Sequence, residues 1–186
     1  MAKTVFVLRA DVDHYVAFLA CTDKGWEKFE LFDGRPLLAT WSPVEVEEDH
    51  EEGRGDRPNG DFPSLLRHVP VFSARAVEAL RPILSASGEI LPLTCKKCRG
   101  GPYFAFNVKR FLNVLDRDRS KIKYFSTGRV MRVLKYELVE NLLTDSAIFK
   151  IPEMARSEVF VDDQFASAVA SERLTGFSLE KVWPHK

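Results

Sequence analysis

The sequence predicts an α+β fold with antiparallel-rich sheets, two or three helices and a small β-rich N-terminal lobe. The 14 phenylalanines of the 186-residue chain lie mostly in short runs beside valine, isoleucine and leucine, and such residues fit pleated, half-buried strands. The last third of the chain follows the order strand, strand, helix, strand, and no internal repeat is present. A hydrophobic content of 45% and a charged content of 29% are those of an ordinary globular domain.

Residues 1–44 are predicted to form the N-terminal lobe from four short strands. Residues 4–8 and 15–20 are the first two. Residues 26–32 suggest a third, because apolar and charged side chains alternate there. A turn that contains glycine and proline then precedes a short fourth strand at 37–41.

Residues 45–59 are predicted to be an exposed acidic loop and a hinge. Residues 45–61 hold eight acids against two bases, a balance of −6, and no apolar stripe offsets the entropy of ordering them. Seven of these acids are candidate contacts for a basic partner: Glu45, Glu47, Glu48, Asp49, Glu51, Glu52 and Asp56. A solvated loop with no partner is the other interpretation, and it stays open.

Residues 60–186 are predicted to form the α+β domain. Ser73 can cap a helix, and Pro82 should break that helix near Leu80. Strands are expected at 89–93, 103–108, 122–125, 131–139, 147–151, 159–161 and 177–183, with a hairpin turn at Thr127-Gly128. Asp162 should cap the helix that separates the last two strands.

The three cysteines offer little chemistry. Cys95 and Cys98 have the spacing of half a tetrahedral zinc site, but no other cysteine or histidine stands at a ligand-like spacing. Plain thiols in a turn are favoured, while a metal site and a redox pair stay open. The chain has neither a Gly-x-Ser-x-Gly nucleophile elbow nor a phosphate-binding loop. The sequence therefore predicts a protein that is not an enzyme and has no metal or cofactor.

Residues 96–135 are strongly basic, with twelve bases against two acids. Phe111, Tyr124 and Phe125 interleave with the bases, the mixture that stacks on nucleotide bases and contacts phosphates. This alternative basic surface comprises Lys96, Lys97, Arg99, Arg117, Arg119, Lys121 and Lys123. Against nucleic acid, the whole chain has zero net charge, and the bases can simply lie on the solvent side of strands.

The first residues lack the features of a signal peptide. Asp11 and Asp13 interrupt the apolar stretch that follows Lys3, and no run approaches the ~20 apolar residues of a membrane-spanning helix. With an odd number of cysteines as well, the sequence predicts a cytoplasmic protein without a membrane partner.

A series of short motifs resembles a family of bacterial immunity proteins, typified by a kin-discrimination immunity protein of a myxobacterium. In chain order the motifs are Gly60-Asp61-Phe62-Pro63-Ser64-Leu65, Val71-Phe72-Ser73, Tyr103-Phe104-Ala105-Phe106-Asn107-Val108, Ile148-Phe149-Lys150-Ile151-Pro152, Val159-Phe160-Val161-Asp162, Leu174-Thr175-Gly176-Phe177 and Val182-Trp183. No single motif is specific. The resemblance rests on their order over roughly residues 60–183.

The resemblance implies a protein that acts by binding a cognate toxin encoded nearby, in competition and kin discrimination between bacteria. A nuclease is the expected toxin, since the acids of residues 45–56 would suit a basic active site. The oligomeric state stays open. The aromatic residues of the motifs are expected in the core: Phe62, Phe72, Tyr103, Phe106, Phe149, Phe160, Phe177 and Trp183.

Overall fold

The computed structural model describes residues 3–50, 57–144 and 146–184. These residues form eleven strands: β1 (Val5–Ala10), β2 (Phe18–Ala20), β3 (Val44–Glu48), β4 (Val71–Ser73), β5 (Gly88–Thr94), β6 (Tyr103–Val108), β7 (Lys121–Tyr124), β8 (Val130–Lys135), β9 (Ile148–Phe149), β10 (Phe160–Asp162) and β11 (Phe177–Trp183). They also form four α-helices: α1 (Asp23–Phe29), α2 (Ala74–Ala79), α3 (Arg81–Ser87) and α4 (Asp163–Ser171). Short 3₁₀ helices lie at Leu38–Thr40, Glu140–Leu142 and Pro152–Met154.

The strands make three sheets. A four-stranded sheet has the order β11-β1-β10-β9, a five-stranded sheet the order β2-β3-β5-β6-β4, and β7 pairs with β8 in a hairpin. Every pairing is antiparallel except that of β3 with β5. The predicted α+β class with antiparallel-rich sheets is confirmed, with four helices rather than two or three.

The sheets and helices are stacked in layers around three apolar clusters. Helices α2, α3 and α4 contribute to a central cluster that also takes side chains from both larger sheets, Phe72, Phe106 and Val161 among them. A second cluster lies on the other face of the four-stranded sheet and includes Val133 of β8. A third lies on the other face of the five-stranded sheet and includes Phe29 of α1. The hairpin and α1 therefore lie at opposite ends of the stack.

Strand β1 is buried on both faces. It lies between β10 and β11, and successive side chains of a strand point to opposite sides of a sheet. Phe6 and Leu8 contact the central cluster, whereas Val5 and Val7 belong to the second cluster. The uninterrupted apolar run from Val5 to Leu8 is explained by this position.

Local signals set the helix boundaries as predicted. The Ser73 hydroxyl accepts a hydrogen bond from a backbone N–H three residues further on (3.1 Å) and caps α2. The helix is interrupted at Leu80, and Pro82 lies in the first turn of α3. Asp162 caps α4 by accepting from two backbone N–H groups, including that of Phe165.

Residues 26–32, predicted as a strand, lie instead in α1 and the turn after it. The side chain of Thr22 accepts a hydrogen bond from the Gly25 N–H and caps the helix. Trp26 and Phe29 are three residues apart and pack on the same side, against the third cluster. The alternation of apolar and charged residues suggested a strand because, over so short a segment, the two-residue period of a strand and the 3.6-residue period of a helix cannot be told apart.

The predicted acidic loop is wrong at its start, because residues 44–48 form β3. This strand is antiparallel to β2 and parallel to β5. Val44 and Val46 point into the third cluster, and acids occupy the positions between and after them, which is the period of a half-buried strand. The strand predicted at 37–41 is wrong as well, since Leu38–Thr40 is a 3₁₀ helix.

The larger sheets do not follow the expected division into residues 1–44, 45–59 and 60–186. Strand β1 pairs with β10 and β11, whereas β3 joins β2 to β5. The N-terminal segment thus contributes to both larger sheets and, within the described residues, does not close a sheet of its own.

The motif aromatics lie in the core, as predicted, with Phe177 half-buried and the other seven buried. The rings of Phe62 and Phe177 stack with their centroids 4.7 Å apart. Gly176 makes this approach possible: its φ is +84°, and a Cβ there would lie 3.0 Å from the Phe62 carbonyl oxygen. The motifs around residues 60 and 176 therefore form one packing unit.

Candidate functional site

The β7–β8 hairpin is the most exposed apolar region in the described part of the chain. Four large apolar side chains lie along it with exposed fractions of 47% for Tyr124, 50% for Phe125, 45% for Met131 and 39% for Leu134. Its inner side is different, because Val133 is buried in the second cluster. The hairpin is thus anchored on one face and open on the other.

Two irregularities in the pairing of β7 with β8 place part of this apolar surface. Ile122 is opposite Val133 and Lys121 is opposite Lys135, so Leu134 is an extra residue in β8. Lys123 is opposite Arg132 and Tyr124 is opposite Val130, so Met131 is a second extra residue in β8. Extra residues of this kind bend a strand and re-aim side chains, and here they are two of the exposed apolar ones.

Like charges face each other across the hairpin. Lys121 is opposite Lys135, and Lys123 is opposite Arg132. Residues 121–135 hold five bases and no acid, and all five are exposed. Lys135 pairs with Glu137 (2.6 Å). The other four bases make no ion pair with any residue that the structure describes: Lys121, Lys123, Arg129 and Arg132.

A cleft of about 360 Å³ adjoins the hairpin, between β8 and β11. Arg9 lies in it and donates two hydrogen bonds to the buried Glu158. Burial opposes the charge on Arg9, but the bond and charge of Glu158 outweigh burial and raise the pKa of the guanidinium. Burial, with Glu158 nearby, raises the pKa of Tyr136. The charged groups Arg9 and Glu158 in the cleft therefore hold the sheet together, while Arg132, which also lines it, makes no ion pair with a described residue.

The acidic residues of β3 are largely bound within the protein. The Glu48 side chain is only 5% exposed and accepts hydrogen bonds from Asn59 Nδ2 (2.8 Å) and the Arg99 N–H (2.9 Å). Glu45 pairs with Lys96 (2.7 Å).

The other acids proposed as contacts have mixed positions. Asp49 is buried, and Glu47 is exposed. Glu51, Glu52 and Asp56 lie outside the described residues. Of the four candidates in the described part, Glu47 is the most accessible carboxylate.

The predicted basic surface falls into two separate places. Lys96, Lys97 and Arg99 lie in the loop after β5, beside the acids of β3. Arg119, Lys121 and Lys123 lie in the hairpin or just before it, and Arg117 donates to Glu153 (2.7 Å). The sequence interpretation missed Arg129, Arg132, Met131 and Leu134 as surface candidates. The exposure of Met131 and Leu134 depends on register irregularities, for which the sequence gives no local signal.

Cys95 and Cys98 form a disulfide in this structure. The preferred expectation of two plain thiols is therefore wrong. The sequence separation of three residues brings the two Cα atoms to 5.5 Å, within the usual range for such a bond. The N–H of Arg99, the residue after this loop, donates to Glu48 of β3.

A buried ammonium group lies elsewhere in the molecule, at the end of β9. Lys150 is fully buried and donates to the Phe32 carbonyl oxygen (2.5 Å). Burial lowers the pKa of Lys150 to about 8, with Asp33 opposing the shift and Arg156 adding to it. Burial and the charge of Lys150 also lower the pKa of His68. This group links the turn after α1 to the four-stranded sheet, and it is part of the packing.

The described residues offer neither a metal site nor a membrane-spanning helix. No group of three or more His, Cys, Asp or Glu side chains there is arranged to hold a metal ion. None of the helices in the described segments has the length and apolar character needed to span a membrane.

Comparison with known proteins confirms the resemblance to immunity proteins. Residues 93–183 match the model of an immunity protein family, Imm11. The matched part includes β6–β11, the hairpin and α4, whereas the motifs of residues 60–73 lie outside it. No curated protein matches the chain. The match points to a toxin-neutralising immunity protein.

Proposed function

We propose that this protein neutralises a cognate toxin by binding it in a stoichiometric complex. The match of residues 93–183 to the immunity protein family carries the proposal. The arrangement of the charged groups supports it. Buried ionisable groups such as Glu158 and Lys150 are used to join strands and turns, and the accessible groups of the hairpin are placed for contact rather than for a reaction. The protein would act in the cytoplasm, as a binding inhibitor without a catalytic step.

The toxin would be encoded beside this chain and used in competition and kin discrimination between bacteria. A nuclease is the sharper form of the proposal, motivated by the acids of residues 45–56. The described structure supports only Glu47, and Glu45 if its pair with Lys96 opens, as contacts from this segment. Binding beside a basic active site, rather than inside it, is the mode that needs fewer of these acids.

Coexpression tests the function directly. The neighbouring gene product should be toxic alone, harmless with this chain, and copurify with it at a one-to-one ratio by size-exclusion chromatography. A nuclease target predicts that purified toxin degrades DNA or RNA and that one equivalent of this chain stops the degradation. Toxicity that persists at excess chain, with no complex, would refute the proposal.

Nucleic-acid binding is the second candidate function. Tyr124 and Phe125 are exposed beside Lys121, Lys123 and Arg129, which make no ion pair within the described part of the chain. This composition suits stacking and phosphate contact. This alternative predicts salt-sensitive binding of generic single strands by the protein alone.

A further inference from the structure

The geometry points to the outer face of the β7–β8 hairpin as the surface that contacts the toxin, and to an acidic surface with an apolar centre on the toxin. This inference rests on the proposed function and adds the location and chemistry of the contact. The hairpin lies wholly within residues 93–183, the part that matches the immunity protein family. The acidic segment lies outside that match.

The apolar part of the argument is the exposure of Tyr124, Phe125, Met131 and Leu134. The described residues have nine exposed large apolar side chains, and four of them fall within the eleven positions 124–134. The exposed apolar side chains are therefore concentrated in the hairpin rather than scattered. A contiguous apolar patch with a polar rim is typical of a protein–protein contact. Met131 and Leu134 are the extra residues of β8. A bulge can direct such side chains outward while Val133 stays buried on the inner side of the hairpin.

The charged part of the argument is the repulsion across the strands. Like charges directly opposite each other in an antiparallel pair destabilise it, and the hairpin has two such pairs, Lys121 with Lys135 and Lys123 with Arg132. Except at Lys135, no acid in the described residues compensates these bases. An acidic partner surface would relieve the repulsion and would also speed association.

A protein surface fits the hairpin better than a nucleic acid does. Met131 and Leu134 are aliphatic and cannot stack on nucleotide bases as aromatic rings do. Exposed tyrosine, phenylalanine, methionine and arginine together form the composition that is enriched in protein interfaces. The chain as a whole has zero net charge and a pI near 6.9, which is unlike a domain built for nucleic acid.

With this contact, no part of this protein would enter a basic active site of the toxin. A toxin that binds through an acidic surface is held beside its active site, so substrate is excluded by the bulk of this protein. The inference is therefore compatible with a nuclease target and assigns it the adjacent mode of inhibition.

Two variants test the surface, each with a matched control. Lys123→Glu replaces a like-charged pair by an opposite pair with Arg132, and Lys97→Glu makes the same charge change in the loop after β5. Phe125→Ala removes an exposed ring from the hairpin, and Leu38→Ala removes an exposed side chain from the 3₁₀ helix Leu38–Thr40. All four positions are exposed, so each variant should fold, which circular dichroism and the thermal midpoint verify.

The probe is the purified neighbouring toxin, once the unchanged chain is seen to bind it. Isothermal titration should show that Lys123→Glu and Phe125→Ala each raise the Kd by roughly 30-fold or more, the effect of a central interface residue. The controls should stay within about threefold of the unchanged chain. The thermal midpoint of Lys123→Glu should be equal to or above that of the unchanged chain, so weaker binding cannot be ascribed to unfolding.

Three results would overturn the inference. Unchanged affinity of both hairpin variants for the toxin places the contact elsewhere. Binding of a fluorescein-labelled single-stranded oligonucleotide that is lost in Lys123→Glu, with toxin binding intact, assigns the hairpin to nucleic acid instead. Failure of the unchanged chain to bind the toxin removes the proposed function itself, and this is measured before any variant is made.

Discussion

Strand β3 and the β7–β8 hairpin are both rich in charge, yet their charged side chains have different surroundings. Glu48 of β3 is buried between two donors from the same chain, and Glu45 is paired with Lys96. In the hairpin, Lys123 and Arg132 face one another and have no acidic partner among the described residues. Glu45 and Glu48 of β3 join neighbouring segments, whereas four of the five hairpin bases make no ion pair with a described residue.

The difference arises from where each strand lies. β3 is an inner strand of a five-stranded sheet, with β2 and β5 on its two sides, so donors from neighbouring loops reach its carboxylates. The hairpin is a two-stranded sheet at the end of the layer stack. Charge density along a sequence therefore says little about a binding surface until the partners of each side chain are known.

The largest expected effect comes from Asp61, the last acid of the acidic stretch. It is buried and accepts hydrogen bonds from Ser73 Oγ (2.7 Å), Arg75 (2.6 Å) and the Thr175 N–H (2.9 Å). Asp61→Ala should lower the free energy of unfolding by about 2–4 kcal/mol, because the Ser73 hydroxyl and the Thr175 N–H lose their acceptor. The Arg75 guanidinium is exposed and keeps its bonds to the carbonyl groups of Glu172 and Arg173. Urea denaturation measures the change.

Asp118, an exposed acid just before the hairpin, provides the control. Asp118→Ala should change stability by no more than about 0.5 kcal/mol. Equal losses of unfolding free energy for Asp61→Ala and Asp118→Ala would contradict the contrast between a buried, hydrogen-bonded acid and an exposed one.

Lys150 should make stability depend on pH. Its pKa is about 8 in the folded state and about 10.4 in an unfolded chain. Below pH 8 both states are protonated, and the folded state bears the full cost of the buried charge. Between these two values the folded state loses its proton first, so the stability of the protein should rise relative to Lys150→Met, by on the order of 3 kcal/mol in total.

Unfolding in urea at several values between pH 7 and pH 10.5 tests this expectation for the unchanged chain and Lys150→Met. The difference between the two proteins is the relevant quantity, because tyrosines and other lysines also titrate in this range. Parallel stability curves would show that the ammonium group is not buried as described.

Glu48 and Glu47 are adjacent in β3 and should respond differently to the same change. Glu48→Ala removes the carboxylate that accepts from the Asn59 amide and the Arg99 N–H, so it should cost about 1–3 kcal/mol. Glu47→Ala should cost about 0.5 kcal/mol or less, since that side chain is exposed. Thermal midpoints of the two variants decide the matter, and a reversed order would be evidence against the assigned hydrogen bonds.

The smallest effect has the opposite sign. Lys121→Glu places an acid opposite Lys135 and should stabilise the protein by about 0.2–1 kcal/mol, the range for cross-strand pairs. Lys97→Glu should give no such gain. Guanidinium denaturation would mask charge effects, so urea is used; a loss of stability in Lys121→Glu would contradict the cross-strand repulsion.

The sequence was sufficient where a local signal determines the structure. Ser73 and Asp162 cap helices, Gly128 turns the hairpin, and the apolar run of β1 is a strand. It was insufficient where the structure depends on distant partners. The N-cap at Thr22 was a usable signal for α1 that a short alternating pattern obscured.

The candidate site was less predictable than the fold. Basic residues with Tyr124 and Phe125 were visible in the sequence as an alternative surface. The burial of the Glu48 side chain was not visible in the sequence, because it depends on hydrogen bonds to residues 11 and 51 positions away. The exposure of Met131 was not visible either, because it depends on a register shift.

The position of β1 has a consequence for how the protein is made. Its two neighbours, β10 and β11, are more than 150 residues further along the chain, so β1 can complete its pairing only after both have left the ribosome. Contacts between such distant segments slow folding, since a long loop must close before they form. A chain interrupted before residue 177 would leave the β11 side of β1 unpaired, and such an open sheet edge is a template for aggregation. Protection by this protein would therefore begin only after residues 177–183 have been synthesised.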